Sequence, residues 1–244
     1  MYKLPELELV RGLTHSFSTI SNGNMSYLWG DEQKVIENRE RFLKGLSIDP
    51  NSCAVMSILN TDVITEITPK TEIGIGKNSP IKTDAFITTE KNKFLFLVIA
   101  DCLPVIIYDP MLKILALAHC GWKSTEAKLV GKVVDFLKEH FHTDPSNLLV
   151  GIGPGIHKES YKMANPAERQ LAGWSDFLLN TPNGQTAIDI VGYNKSQLIS
   201  AGVKEENIEI SDIDNAADPR FFSHHRSKET GELEGRFAAV VGMV

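Results

Sequence analysis

Apolar residues recur along this chain with two different periods. After Asp31, Val35, Ile36, Phe42, Leu43 and Leu46 fall on one helical face with charges between them, and Asp31 is placed to cap the first turn. The same spacing returns at Val130, Val133, Val134, Leu137 and Phe141, which predicts a helix from about Lys123 to His140 opened by Gly121. A third helix is expected over Val191 to Ala201, with Gly202 at its C′ position. Between these lie strand-like runs: SCAVMSIL, DVITEI and AFITT, then FLFLVIADCLPVIIYD as two buried strands kinked at Asp101–Pro104. ILALAH reads as another buried strand ending at His119, and LLVGIGPG, NIEIS and RFAAVVGMV supply more. Strands outnumber helices and often follow one another directly. The pattern therefore predicts an α/β chain of the α+β type, with a mixed sheet or pair of sheets flanked by helices. No repeat, linker or low-complexity tract interrupts it, so residues 1–244 are read as a single domain.

Composition narrows the function classes. Of 244 residues, 25 are Lys or Arg and 31 are Asp or Glu, a formal charge of −6 without a basic tract. This argues against nucleic-acid binding, yet leaves room for a small phosphate-bearing ligand, which needs only a few local cations. Cys53, Cys102 and Cys120 are too few and too odd a set for a disulfide scaffold. The N-terminus lacks an apolar h-region and no stretch approaches a membrane span, so a soluble protein of the reducing cytoplasm is expected.

Cys102 and His119 each end a strongly apolar strand, and if FLFLVIA and ILALA are neighbours in a sheet, their ends bring thiol and imidazole together. Such a pair serves either as nucleophile and base or as two ligands of a catalytic zinc; a buried structural Cys beside a capping His is the alternative. Asp101 can orient a histidine, act as a general base, or simply form the turn before Pro104. The GIGPG segment lacks the Lys and Ser/Thr of a phosphate-binding P-loop and reads as a tight turn. Near the C-terminus, Arg220-Phe-Phe-Ser-His-His-Arg226, followed by Arg236, concentrates cations suited to phosphate or carboxylate, or to a solvated loop of salt bridges. His15, in THSFST, faces either core or cleft, and His140 and His142 suit a helix C-terminus.

In this order, THSFST, GDEQKVIENRERFLKGL, TDAFITT, ADCLPVIIYD, LALAHCGWKST, GPGIHKESY, RFFSHHR and GRFAAVV resemble the laccase-domain family, also called the YfiH-like or multicopper polyphenol oxidase family. The resemblance covers nearly the whole chain. It implies an α/β/β/α sandwich and purine nucleoside phosphorylase activity with adenosine deaminase side activity. The implied substrates are adenosine, inosine or methylthioadenosine together with phosphate, with neither nucleic acid nor membrane as a partner. It carries a metal or catalytic site onto Cys102 and His119, with Asp101 beside them, and we expect Arg226 and Arg220 to bind phosphate.

The resemblance fails at one family ligand. The family's Q-V-H-G histidine falls on Leu59 of SILNTDV, its G-P-C-C-Y becomes KESY, and its Cys-x-x-Cys becomes DIDNAADP. Catalytic zinc normally takes three protein ligands, and leucine has no lone pair to give. A weakened zinc site is therefore expected, with His15 as candidate substitute ligand. Copper is not expected, since the His-rich sets of copper oxidation centres are missing. Two other readings stay open: a metal-independent cysteine hydrolase using Cys102 and His119, and a non-catalytic binding module that has lost its zinc.

Overall fold

Alternation along the strands decides the layering. Leu95, Leu97 and Ile99 face one side of their strand and Phe94 and Phe96 the other, and both sides are buried. A strand apolar on both faces must lie between two layers. The computed structural model describes residues 1–244. Its strands are β1 (Leu13–Phe17), β2 (Cys53–Ser57), β3 (Ile64–Glu66), β4 (Ile81–Lys82), β5 (Ala85–Thr88), β6 (Phe94–Ile99) and β7 (Leu103–Asp109). They continue with β8 (Ile114–Cys120), β9 (Leu149–Ile152), β10 (Lys162–Met163), β11 (Leu178–Asn180), β12 (Thr186–Ile188), β13 (Ile208–Ile210) and β14 (Phe237–Met243). The α-helices are α1 (Pro5–Glu8), α2 (Glu32–Lys44), α3 (Trp122–Glu126), α4 (Leu129–Phe141), α5 (Ile190–Ser200) and α6 (His224–Thr230).

Two mixed sheets stack face to face. One has five strands in the order β1-β14-β6-β2-β4, the other six in the order β13-β9-β7-β8-β5-β3. Leu95, Leu97, Phe237 and Val241 of the first meet Phe86, Ile106, Tyr108 and Leu117 of the second in the central core. On the outer face of the six-stranded sheet, Val105, Ile107, Ala116 and Ala118 pack with Val130, Val133, Val134 and Leu137 of α4 and with α5. Beyond the five-stranded sheet, Val55, Phe96 and Val240 pack with Phe42 and Leu43 of α2. The result is the expected α/β/β/α sandwich, and each wholly buried Leu, Ile or Phe in it contributes about 1.5–3 kcal/mol.

Local signals hold where the chain carries them. The Asp31 carboxylate accepts the Lys34 N–H at 3.0 Å, and Gly202 takes φ +102° just past α5. The single helix expected from Lys123 to His140 is instead two, α3 and α4, divided at Lys128, whose φ of 59° is left-handed. SCAVMSIL stops being a strand at Ser57, so Ile58–Thr61 forms a loop. The cation-rich segment read as a loop contains helix α6, whose Ser223 cap accepts the Arg226 N–H at 3.0 Å. A small sheet ordered β10-β12-β11, not expected from the sequence, folds over one side of the molecule. No helix is long and apolar enough to cross a membrane, and all three cysteines are free.

Candidate active site

The chemistry-bearing residues collect where β5, β7 and β8 end together. β7 and β8 are antiparallel with Leu103 opposite Cys120 and Pro104 opposite His119, so Cys102 lies beside the end of β8. β5 pairs Ala85 with Ala118, and the His119 N–H donates to the Asp84 carbonyl at 2.8 Å. Three separate apolar strands thus deliver Asp84, Cys102 and His119 to one point.

The contacts at that point are short. His119 Nδ1 lies 3.1 Å from Asp84 Oδ1, and both side chains are at most 2% exposed. Its Nε2 edge faces Cys102 across Gly121, where an added Cβ would stand 3.0 Å from the Cys102 sulfur and 3.5 Å from His119 Nε2. A side chain at this position would crowd the thiol. Asp84 also accepts the backbone N–H groups of Leu59, Asn60 and Thr61 (3.3, 2.9 and 2.8 Å) and the Thr61 hydroxyl at 2.8 Å. Burial disfavours the charge on Asp84, but these hydrogen bonds outweigh it and hold the carboxyl below its ordinary range. Burial likewise opposes charge on His119, yet Cys102 and Asp84 more than offset it and raise the imidazole to about 9. The site thus presents a cationic imidazole between a carboxylate and a sulfur.

Cys102 and His119 of this cluster line a cavity of about 660 Å³, and Asp84 lies buried behind the imidazole. Val98, Ile99, Ile156 and Ile190 are among its apolar lining, with Trp122, Tyr161 and Met163, and His224, His225, Lys228 and Arg236 bring nitrogen donors to it. Such a mixture of apolar wall and few convergent polar groups is that of a small-molecule pocket. Tyr161 donates its hydroxyl to the buried Glu168 at 3.1 Å, and burial with that acidic neighbour raises its pKa.

Of the site residues expected from sequence, Cys102, His119 and Asp101 meet in this cavity. Arg226 does not. Its Nη1 donates to the carbonyls of Asn215, Ala216 and Asp218, its Nη2 to that of Phe221, and its Nε to Glu232. That guanidinium ties a loop together and offers no fork to phosphate. Arg220 lies in a separate cleft with Tyr2 and Asp212, and its Nε and Nη2 are held by Asp218. His15 sits within β1, 2% exposed, with Nε2 accepting the Leu4 N–H at 2.9 Å. Burial depresses it to about 4, so it stays neutral, and with Nε2 taken by Leu4 and no place in the lining of the cavity that holds Cys102 it is not positioned as a substitute ligand.

Arg236 lines the cavity, where those two arginines do not. Its Nη1 donates to Glu234 at 2.5 Å and to the Gly235 carbonyl at 2.6 Å, and its guanidinium lies 5.1 Å from the Trp29 ring centre. Its Nε and Nη2 donors make no intramolecular hydrogen bond, leaving an anchored, planar edge at the cavity. Asp84 is the other residue whose role sequence reasoning missed. Its signal was the acid in TDAFITT, immediately before a buried strand.

The residues present do not fit a three-ligand zinc. Cys102 and His119 are two donors; Leu59 is 39% exposed and gives Asp84 only its backbone N–H. Asp84 is saturated by its five hydrogen bonds, and no group of three His, Cys, Asp or Glu side chains has metal-holding geometry. Elemental analysis of dialysed protein is expected to find far less than stoichiometric zinc; a full equivalent that survives dialysis would contradict this ligand count.

Known proteins share this fold. The family model described as multi-copper polyphenol oxidoreductase laccase matches residues 10–244. The purine nucleoside phosphorylase YlmD of Bacillus subtilis (strain 168) is 30% identical over 217 residues, covering 86% of this chain and 77% of that protein. The protein of the same name from Geobacillus stearothermophilus is 29% identical over 254 residues, covering 96% and 89%. The crystal structure of YlmD from Geobacillus stearothermophilus superposes with a TM-score of 0.88 at 26% identity, over 96% of this chain and 93% of that one. The structure of the Bacillus licheniformis hypothetical protein YfiH gives 0.86 at 25%, over 97% and 95%.

Proposed function

Because the chain belongs to the multi-copper polyphenol oxidoreductase laccase family, and its relatives are named purine nucleoside phosphorylases, we propose that it cleaves a purine nucleoside with phosphate. The products are the free base and ribose 1-phosphate. One observation carries the proposal: the cavity lined by Cys102 and by His119, whose imidazole is held from behind by Asp84, is also lined by Arg236, which keeps one edge of its guanidinium free.

Phosphorolysis needs three things, and residues of this cavity suit each. The C1′–N bond breaks with its electron pair moving to the purine, which must take a proton. His119, raised to about 9, carries a proton at neutral pH and is the acid for that step. Positive charge develops at the anomeric carbon, and the Cys102 sulfur, which lines the cavity beside the imidazole, is placed to meet it. The incoming phosphate needs an oriented cation, and a guanidinium edge binds two oxygens at once. Arg236 supplies that edge, with Lys228 and the two histidines of α6 beside it. The apolar walls and Trp122 take the base and sugar. No step passes through a metal, because the donor set does not make a zinc site.

Arg236→Lys keeps the charge but loses the fork. We expect the phosphate KM to rise about tenfold or more while the nucleoside KM stays within about twofold, measured by base release at varied phosphate. An unchanged phosphate KM would remove Arg236 from the phosphate subsite. Adenosine deaminase side activity, implied by the family resemblance, is read in the same assay as inosine formation.

A second reading has an observation in its favour. Carboxylate, imidazole and thiol stand in the order used by cysteine hydrolases. That reading requires turnover without phosphate, which the same assay separates.

A further inference from the structure

Asp101 stands next to Cys102 in the cavity, yet its carboxylate is already occupied. Oδ2 accepts the backbone N–H of His225 at 2.7 Å, and Oδ1 accepts Asn215 Nδ2 at 3.0 Å. Its carbonyl accepts the Ile156 N–H at 2.7 Å. The wholly buried Asn215 donates in turn to the Phe222 carbonyl at 2.8 Å, and its N–H bonds the Gly155 carbonyl at 3.0 Å. The backbone of Asp101 is left-handed, with φ 71°. That conformation is costly for most residues and is accepted for the connection it makes, since Asp and Asn enter it more readily than others.

These contacts join two walls of the cavity through one side chain. Asp101 sits in the turn that leads into Cys102, whereas His225 lies in the first turn of α6, the helix that brings His224, His225 and Lys228 to the cavity. α6 is only seven residues long, and its Ser223 cap takes the Arg226 N–H but not that of His225. Without Asp101, the N-terminal turn of α6 loses its bond to the strand bearing Cys102.

We propose that Asp101 is a positioning residue: its carboxylate holds α6 and its cations at a fixed distance from Cys102, and it is not the acid or base of the reaction. What those cations bind rests on the phosphorolytic reading above; the tether itself does not.

Asp101→Asn and Asp101→Gly test this without disturbing the backbone, since both residues tolerate a left-handed φ. Asparagine keeps one acceptor and turns an N–H₂ toward a donor; glycine removes both acceptors. Both variants are expected to show faster amide hydrogen exchange at residues 224–230 with unchanged exchange in β7 and β8. The affinity for inorganic phosphate, read by calorimetry, should fall about tenfold. Cys102 alkylation by iodoacetamide should stay within about twofold of wild type, and the pH–rate profile should keep its shape. A folded variant with wild-type exchange in α6 and wild-type phosphate affinity would overturn the proposal, as would loss of one limb of the pH profile. Faster α6 exchange in the variants together with a wild-type protein that binds phosphate but cleaves no nucleoside would support the tether and overturn the phosphorolytic reading alone.

Discussion

Cys102→Ala is expected to lower kcat for nucleoside cleavage about a thousandfold while leaving the fold intact. The sulfur lies at the opening of β7, beside the imidazole and over Gly121, and makes no contribution to any of the three apolar cores. Its removal therefore acts on His119 more than on packing. Without the sulfur, burial lowers the His119 pKa against Asp84 alone, and less of the imidazole is in the acid form at neutral pH. The sulfur beside the imidazole in the cavity goes as well. Steady-state kinetics paired with thermal unfolding separates the two effects. A folded Cys102→Ala protein within tenfold of wild-type kcat would take Cys102 out of the chemistry.

Asp84→Asn should do more damage to the fold. The carboxylate collects the N–H groups of Leu59, Asn60 and Thr61, the Thr61 hydroxyl and His119 Nδ1. An amide turns one of its ends into a donor facing donors, and leaves a buried imidazolium without its anion. Breaking a buried pair in this way costs about 3–5 kcal/mol. The pH dependence follows from the two shifts. His119 is raised to about 9, so its contribution is complete below the ordinary 6.5 and is lost as pH rises through about 9. Asp84 is lowered, so its contribution is present above the ordinary carboxylate value and is lost as pH falls through the lowered one. The stability gap between wild type and Asp84→Asn, from urea titrations, should thus be widest near neutrality and narrow above about pH 9. A gap independent of pH would mean that the ion pair is not what Asp84 contributes. Turnover in the variant should fall by about a hundredfold or more, because the imidazole loses the group that orients it.

Strand-rich layering was legible because strands buried on both faces leave continuous apolar runs, and FLFLVIADCLPVIIYD and ILALAH are such runs. Helix α2 was legible for the same kind of reason, with an apolar stripe and a capping Asp31. The break between α3 and α4 was not: Lys128 is neither Gly nor Asn, and tertiary packing alone puts it in a left-handed conformation. Helix α6 was hidden because HHRSKET has no apolar period; its position comes from Ser223, from the carbonyls around Arg226, from Glu234 and from Asp101, more than a hundred residues away. Cys102 and His119 announced themselves as polar ends of apolar strands. Asp84 sits at an equally sharp boundary, but its importance comes from the Ile58–Thr61 loop folding onto it, which no spacing encodes. The arginines were misassigned for a related reason. A cation's availability depends on which carbonyls reach it, and those of Asn215, Ala216, Asp218 and Phe221 surround Arg226, whereas Arg236 keeps one edge free.

The most direct test of the central claim is the fate of phosphate itself. Adenosine, inosine and methylthioadenosine would each be incubated with the protein and inorganic phosphate, and the mixture followed by phosphorus NMR beside chromatography of the base. The account predicts ribose 1-phosphate, or its methylthio counterpart, appearing in equal amount with free base, and no cleavage when phosphate is left out. Free base released at the same rate without phosphate, with no sugar phosphate formed, would contradict it.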